Sequence, residues 1–146
     1  MRASERETLR RRYQFRCGYC GVRESDVGAE LSADHFQPNS RGGVDEAENW
    51  VYCCHACNEF KSDYWEPESV RRVLHPERDP LATHIAEESD GTLRPLTDTG
   101  AFHIEWLHLI VSSLLSTVES AGGLKSHDKP SRVCFNYLRT WIVKSR

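Results

Sequence analysis

The 146-residue sequence contains no apolar run long enough to span a bilayer. Its longest hydrophobic stretch, around Leu107 to Leu115, is interrupted by His108, Ser112 and Ser113. The first residues, Met1 to Arg16, lack the apolar core of a secretion signal and are rich in arginine instead. Internal repeats, low-complexity tracts and long polar tracts are also missing, so the 38% hydrophobic and 28% charged content belongs to a chain that should fold. Nor is there an excess of positive charge. The net charge of −3 argues mildly against a non-specific nucleic-acid binder, because phosphate contacts draw most of their affinity from Lys and Arg. These absences lead us to expect a cytoplasmic protein with no membrane partner, built as one domain or as a small module with a helical annex.

Charge is unevenly distributed. Residues 1–16 hold six Arg against two Glu, whereas residues 17–65 hold three basic and nine acidic side chains, and residues 66–146 are nearly balanced. A basic N-terminal helix or arm (1–16) thus precedes an acidic module (17–65), followed by a mostly helical accessory region (66–146). That order suits a protein that grips a polyanion in one place and holds a cation in another. Arg10, Arg11 and Arg12 are the candidate nucleic-acid contacts of the arm, and a solvated basic helix is the bland alternative.

Six cysteines are present, and four fall into two Cys-x2-Cys pairs, Cys17-Gly18-Tyr19-Cys20 and Cys54-His55-Ala56-Cys57. Together they can fill the tetrahedral shell that zinc prefers, and a full shell leaves no open position, so such a zinc is structural. Cys53 could replace Cys54, and His55 could in principle ligate, although Cys54 restores the spacing. Cys134 stands alone as an ordinary buried thiol.

Along the chain, residues 3–14 suit a helix, with Ser4 as N-cap and Glu7 completing a capping box. Leu31 to Phe36 has strand character, Asn39 to Val44 is turn chemistry with two glycines, and Trp50 to Tyr52 reads as a second strand. Cys54 to about Asp63 permits a short helix, with Pro67 as a stop. Farther on, residues 84–88 and 92–96 flank a hairpin turn at Ser89-Asp90-Gly91. Leu107, Ile110, Val111, Leu114, Leu115 and Val118 recur at helical spacing and predict a helix that stops near Gly122-Gly123. Residues 134–142 form a last apolar segment, helix or strand. The histidines His75, His84, His103, His108 and His127 have no ligand spacing and read as structural.

Between the cysteine pairs lie Ala33-Asp34-His35-Phe36-Gln37-Pro38, then Arg41-Gly42-Gly43, then Glu48-Asn49-Trp50, and finally Cys57-Asn58-Glu59-Phe60-Lys61. This order resembles the HNH endonuclease family, in its Asn-ended variant, over residues 13–63. The stretch from Leu74-His75-Pro76 to Thr97-Asp98-Thr99-Gly100 also resembles the tail of some small standalone bacterial members, with Ala101 where such tails carry Arg. The resemblance implies an α+β fold: a zinc-stapled ββα-metal nuclease module, here followed by a C-terminal region with a hairpin and helices. It further implies a DNA phosphodiester hydrolase, with RNA not excluded as substrate.

The residue types suit that chemistry. Phosphodiester hydrolysis needs an activated water and a hard cation with oxygen ligands. Asp34 and Asn58 can offer oxygens to Mg2+ or Mn2+, and His35 is the candidate general base, since a neutral imidazole accepts a proton near neutral pH. Adjacent strand residues face opposite ways, so Asp34 and His35 must sit where the strand ends or bends. The family resemblance implies that Asn49 holds the loop and orients the histidine. Arg41 and Lys61 are candidate phosphate contacts, with a solvated surface role as the alternative. Two readings compete with catalysis: a non-enzymatic zinc module that docks on nucleic acid or protein, which needs only the four cysteines, and an HNH fold that has lost cleavage.

Overall fold

The first helix, α1 (Ala3–Arg12), is capped at Arg2, two residues before the expected cap. The Arg2 N–H, not that of Ser4, donates to a carboxylate three residues on, Glu5 Oε2, at 2.5 Å. Ser4 lies inside the helix, where its carbonyl accepts from the Thr8 hydroxyl. Gln14 and Phe15 then take left-handed backbone angles (φ 53° and 59°) that end α1 and turn the chain towards Cys17. This computed structural model describes residues 1–109. The apolar positions Ile110 to Val118, the stop at Gly122-Gly123, His127, Cys134 and the 134–142 segment lie outside the described residues.

The short helix α2 (Glu24–Val27) is followed by β1 (Ser32–His35), a loop with two 3-10 turns (Asn39–Arg41 and Ala47–Asn49), β2 (Trp50–Cys53) and α3 (His55–Lys61). The strands pair antiparallel, with His35 opposite Trp50 and Asp34 opposite Val51. All four β2 residues are buried, a sign that the strand is covered on both faces, and its aromatic and β-branched residues suit that position. α1 packs on β2, and α3 packs on β1. The strand–loop–strand–helix order is therefore as expected. α3, however, stops at Ser62, where φ is 50°, five residues before Pro67.

A second antiparallel pair, β3 (Ile85–Glu87) and β4 (Leu93–Pro95), follows α4 (Leu81–His84). Its turn is where the sequence predicts it. Asp90 Oδ1 accepts from the Thr92 N–H and hydroxyl, the local bond that makes Asp a turn residue. The last described helix, α5 (Asp98–Trp106), precedes the helix expected from Leu107 onward, of which only residues 107–109 are described. Thr97 caps it through its hydroxyl, which accepts from Gly100 N–H, and Leu107 closes it, with His108 left-handed at φ 51°. The Leu107 periodicity thus begins at a helix end, because a side-chain cap and a left-handed exit define helix limits that apolar spacing does not report.

One core joins these parts. Leu9 of α1, Tyr13 just after it, Val51 and Tyr52 of β2, Leu74, and Phe102, Ile104 and Leu107 belong to a single buried cluster. Among the described residues, no helix is long and apolar enough to cross a membrane. His103 is part of the cross-linking: its Nδ1 accepts from Leu74 N–H at 2.9 Å, and its ring engages the Tyr19 backbone inside the first cysteine pair. Burial lowers its pKa to about 4, and that of His75 to about 4 as well.

The unfolded chain binds these protons near the ordinary value of about 6.5. Stability is therefore whole above that pH, falls as pH drops towards about 4, and is flat below. For His103 the loss is about 3 kcal/mol. Urea unfolding of wild type and His103→Leu at a series of pH values should give a shallower slope for the variant between about pH 6.5 and 4. Parallel slopes would show that the ring is not held neutral. The proton demand of the thiolates is common to both proteins and cancels in the comparison.

Candidate active site and metal centre

The first cysteine pair is shaped by backbone bonds. Cys17 N–H donates to Val22 O, Gly21 N–H to Cys17 O, and Gly18 N–H to Tyr52 O at 2.7 Å, which hooks the knuckle onto β2. A Cβ at Gly18 would stand 2.6 Å from the Tyr13 ring, so only glycine fits there. The second pair sits at the start of α3, with Cys54 as N-cap and Cys57 in the first turn. The four sulfurs of Cys17, Cys20, Cys54 and Cys57 are buried and lie within 4.8 Å of one another.

Sulfurs around a tetrahedral zinc, each about 2.3 Å from the metal, lie about 3.8 Å apart. Cys20 and Cys54 are separated by 3.7 Å. Without a cation this crowding, Cys17 foremost, pushes the Cys57 thiol well above its ordinary pKa, and a bound cation reverses that penalty. The donor set therefore fits zinc. Cys53, buried one residue earlier on β2, is not in the cluster, and His55 is exposed with its ring against Glu59.

Asp34 of β1 and Phe36 just beyond it are buried, while His35, the last strand residue, faces the loop at Asp45. Phe36 anchors the strand end against Trp65 and His75. The Asp34 carboxylate accepts from the Tyr19 hydroxyl at 2.7 Å and pairs with Lys61 Nζ at 2.9 Å. Burial pushes its pKa up, against the downward pull of Lys61 and Tyr19. Lys61 is only 1% exposed and donates also to the His35 carbonyl at 2.9 Å. The lysine is thus neither on a solvated face nor open to a phosphate, as its sequence position had suggested. It is an internal cation that ties α3 to β1.

Removing one member of a buried ion pair strands the other, at a cost of about 3–5 kcal/mol. Lys61→Met should lower denaturant stability by about that amount. A loss under about 1 kcal/mol, the value of a surface pair, would place Lys61 in solvent.

Asn58 is half-buried and lies one turn before Lys61, at the i, i+3 spacing that puts two side chains on one helix face. Asn58 is thereby on the helix that Lys61 ties to Asp34. An ionised carboxylate has about four acceptor sites. Tyr19 and Lys61 engage Asp34 without filling them, so a carboxylate oxygen of Asp34 and the amide oxygen of Asn58 could hold a cation that keeps several waters.

The Asn49 side chain clamps the loop. Its Oδ1 accepts from Gln37 N–H at 2.9 Å, and its Nδ2 donates to Gln37 O at 3.0 Å and Val44 O at 2.9 Å. The two glycines have separate reasons. Gly42 is left-handed (φ 81°), and a Cβ on Gly43 would stand 1.8 Å from Gln37 O. His35 meets a partner the sequence did not single out: its Nε2 lies 2.9 Å from Asp45 Oδ1, which also accepts from the Trp50 indole N–H at 2.9 Å. Tyr19, inside the knuckle, is likewise a site residue missed by motif reading. An acidic residue two places after Gly-Gly was the one available signal for Asp45.

The arginines of the arm are largely engaged within the fold. Arg10 forms a two-pronged pair with Glu24 at 3.0 and 2.8 Å and reaches the Tyr52 hydroxyl. Arg12 is held by Glu77 and Ala47 O. Arg11 is exposed and its Nε donates to Glu7 Oε1 at 2.7 Å, and Arg41 is exposed at 4.0 Å from Asp63.

Residues 17–63 match the family model described as HNH endonuclease. No curated protein and no solved structure matches the chain.

Proposed function

Starting from an HNH endonuclease domain over residues 17–63, a family that acts on nucleic acid, we propose that this protein is a metal-dependent DNA endonuclease with His35 as general base and Asp34 and Asn58 as the ligands of Mg2+ or Mn2+. The observation that supports the reading is the buried Lys61 link from α3 to Asp34 and to the His35 carbonyl, with Asn58 one turn before Lys61 on the same helix.

His35 accepts the proton of a water whose oxygen attacks phosphorus, and the bond to the leaving sugar oxygen breaks. A divalent cation at the Asp34 and Asn58 oxygens would neutralise phosphate charge and stabilise that leaving oxygen. Asn49 keeps the loop closed beside the histidine. Lys61 offsets the Asp34 charge, and the substrate phosphate would supply further ligands to the cation. Zinc at the four cysteines holds the frame. Arg11 and Arg41, exposed at the surface, are the proposed phosphate contacts, and Arg10 and Arg12 support the helix that carries Arg11.

The test is incubation of the purified chain with supercoiled plasmid, linear duplex, single-stranded DNA and RNA, with magnesium or manganese and with chelator. Cleavage of DNA that requires divalent metal, stops on chelation and returns with magnesium is the expected result. Binding without cleavage of any substrate would replace the nuclease reading with that of a docking module.

A further inference from the structure

We propose that Asp45 is the positioning residue of His35, holding the ring by its Nε2–H so that Nδ1 is the atom that takes the proton. The catalytic consequence rests on the nuclease reading above, whereas the ring geometry does not.

The assignment follows from which atoms are able to donate. Asp45 Oδ1 is 2.9 Å from His35 Nε2 and 2.9 Å from Trp50 Nε1. An ionised carboxylate only accepts, and an indole nitrogen only donates. A bare Nε2 would set a lone pair against the carboxylate, so Nε2 carries hydrogen and the neutral ring keeps its lone pair on Nδ1. The 3.3 Å approach of Trp50 Nε1 to Nε2 is then the meeting of two donors on one oxygen, not a bond between them. Among the described residues, no hydrogen bond is formed at Nδ1.

Asp45 is itself placed. Its neighbour Val44 is fixed through its carbonyl by the Asn49 amide, and Trp50, 6% exposed, stands opposite His35 in the sheet register. The central asparagine therefore acts on the histidine through one residue of chain: Asn49 sets Val44, Val44 sets Asp45, and Asp45 sets the ring. The Asp45 side chain is 58% exposed and contributes little to the core, so its removal should leave the fold intact.

The experiment compares wild type, Asp45→Ala and Asp45→Asn by nitrogen-resolved NMR of the His35 ring and by cleavage kinetics with magnesium. In wild type, Nε2 should carry an observable N–H protected from exchange with water, with Nδ1 bare. Asp45→Ala should lose that protection and lower kcat about 10- to 100-fold. KM should move far less, because the interaction concerns the proton transfer and not substrate binding. Asp45→Asn keeps an acceptor oxygen facing the two donors, so it should retain the protected N–H and fall between the other two in kcat. A wild-type ring with bare Nε2, or equal Nε2–H protection and kcat in Asp45→Ala, would overturn the proposal. Failure of wild type to cleave any nucleic acid, with the ring signals as expected, would remove the nuclease reading and leave the positioning intact.

Discussion

Cys57→Ser is expected to yield a protein that retains no stoichiometric zinc and shows no cooperative thermal transition. Serine is a poor zinc ligand, so the tetrahedral shell loses a corner that no neighbouring side chain replaces: His55 is exposed and Cys53 is outside the cluster. The magnitude settles the outcome. Structural zinc binding is worth about 10–16 kcal/mol in small zinc-folded peptides, against a net stability of about 5–15 kcal/mol for a whole domain. The cluster also joins the turn after α1 to the start of α3, so its loss removes that cross-link.

Metal content and a circular-dichroism melt check this together. Prolonged chelation of wild type should reproduce the variant. Cys53→Ser is the paired control, since it alters a neighbouring buried thiol outside the cluster and should retain zinc. A Cys57→Ser protein that melts like wild type would remove the structural metal, and zinc loss from Cys53→Ser alone would move the ligand set by one residue.

His35→Ala should abolish cleavage while the protein remains folded. Removing a positioned general base costs about 10²- to 10⁴-fold in rate. The fold should persist because the ring is 30% exposed and its bonded partner Asp45 is more exposed still. The part of His35 that supports the interior is its carbonyl, which accepts from Lys61 and survives in alanine. Asp34→Ala is a poorer test, since it would strand the buried Lys61 ammonium and confuse lost chemistry with lost structure. Single-turnover cleavage of plasmid beside a melting curve separates the two effects. Activity within about tenfold of wild type, less than the smallest contribution of a general base, would remove His35 from that role.

What the sequence by itself determined are the features whose demand is local. Two Cys-x2-Cys pairs declare a four-thiolate site through spacing alone, because each pair needs only one turn of chain to aim both sulfurs at one point. The strand, loop, strand and helix order was legible from residue type, as was the hairpin at Ser89-Asp90-Gly91. Only the tertiary structure decided the uses of charge. Lys61 meets Asp34 across 27 positions and Arg12 meets Glu77 across 65, and nothing in the local pattern distinguishes these from surface lysine and arginine. The same holds for α5, whose limits are set by the Thr97 cap and the left-handed exit at His108 and not by an apolar pattern. Asp45 belongs with these. The sequence placed an acid near Gly-Gly, but only the folding of the loop onto β1 brought it to the histidine, because a pairing between distant residues is set by packing and has no signature in spacing.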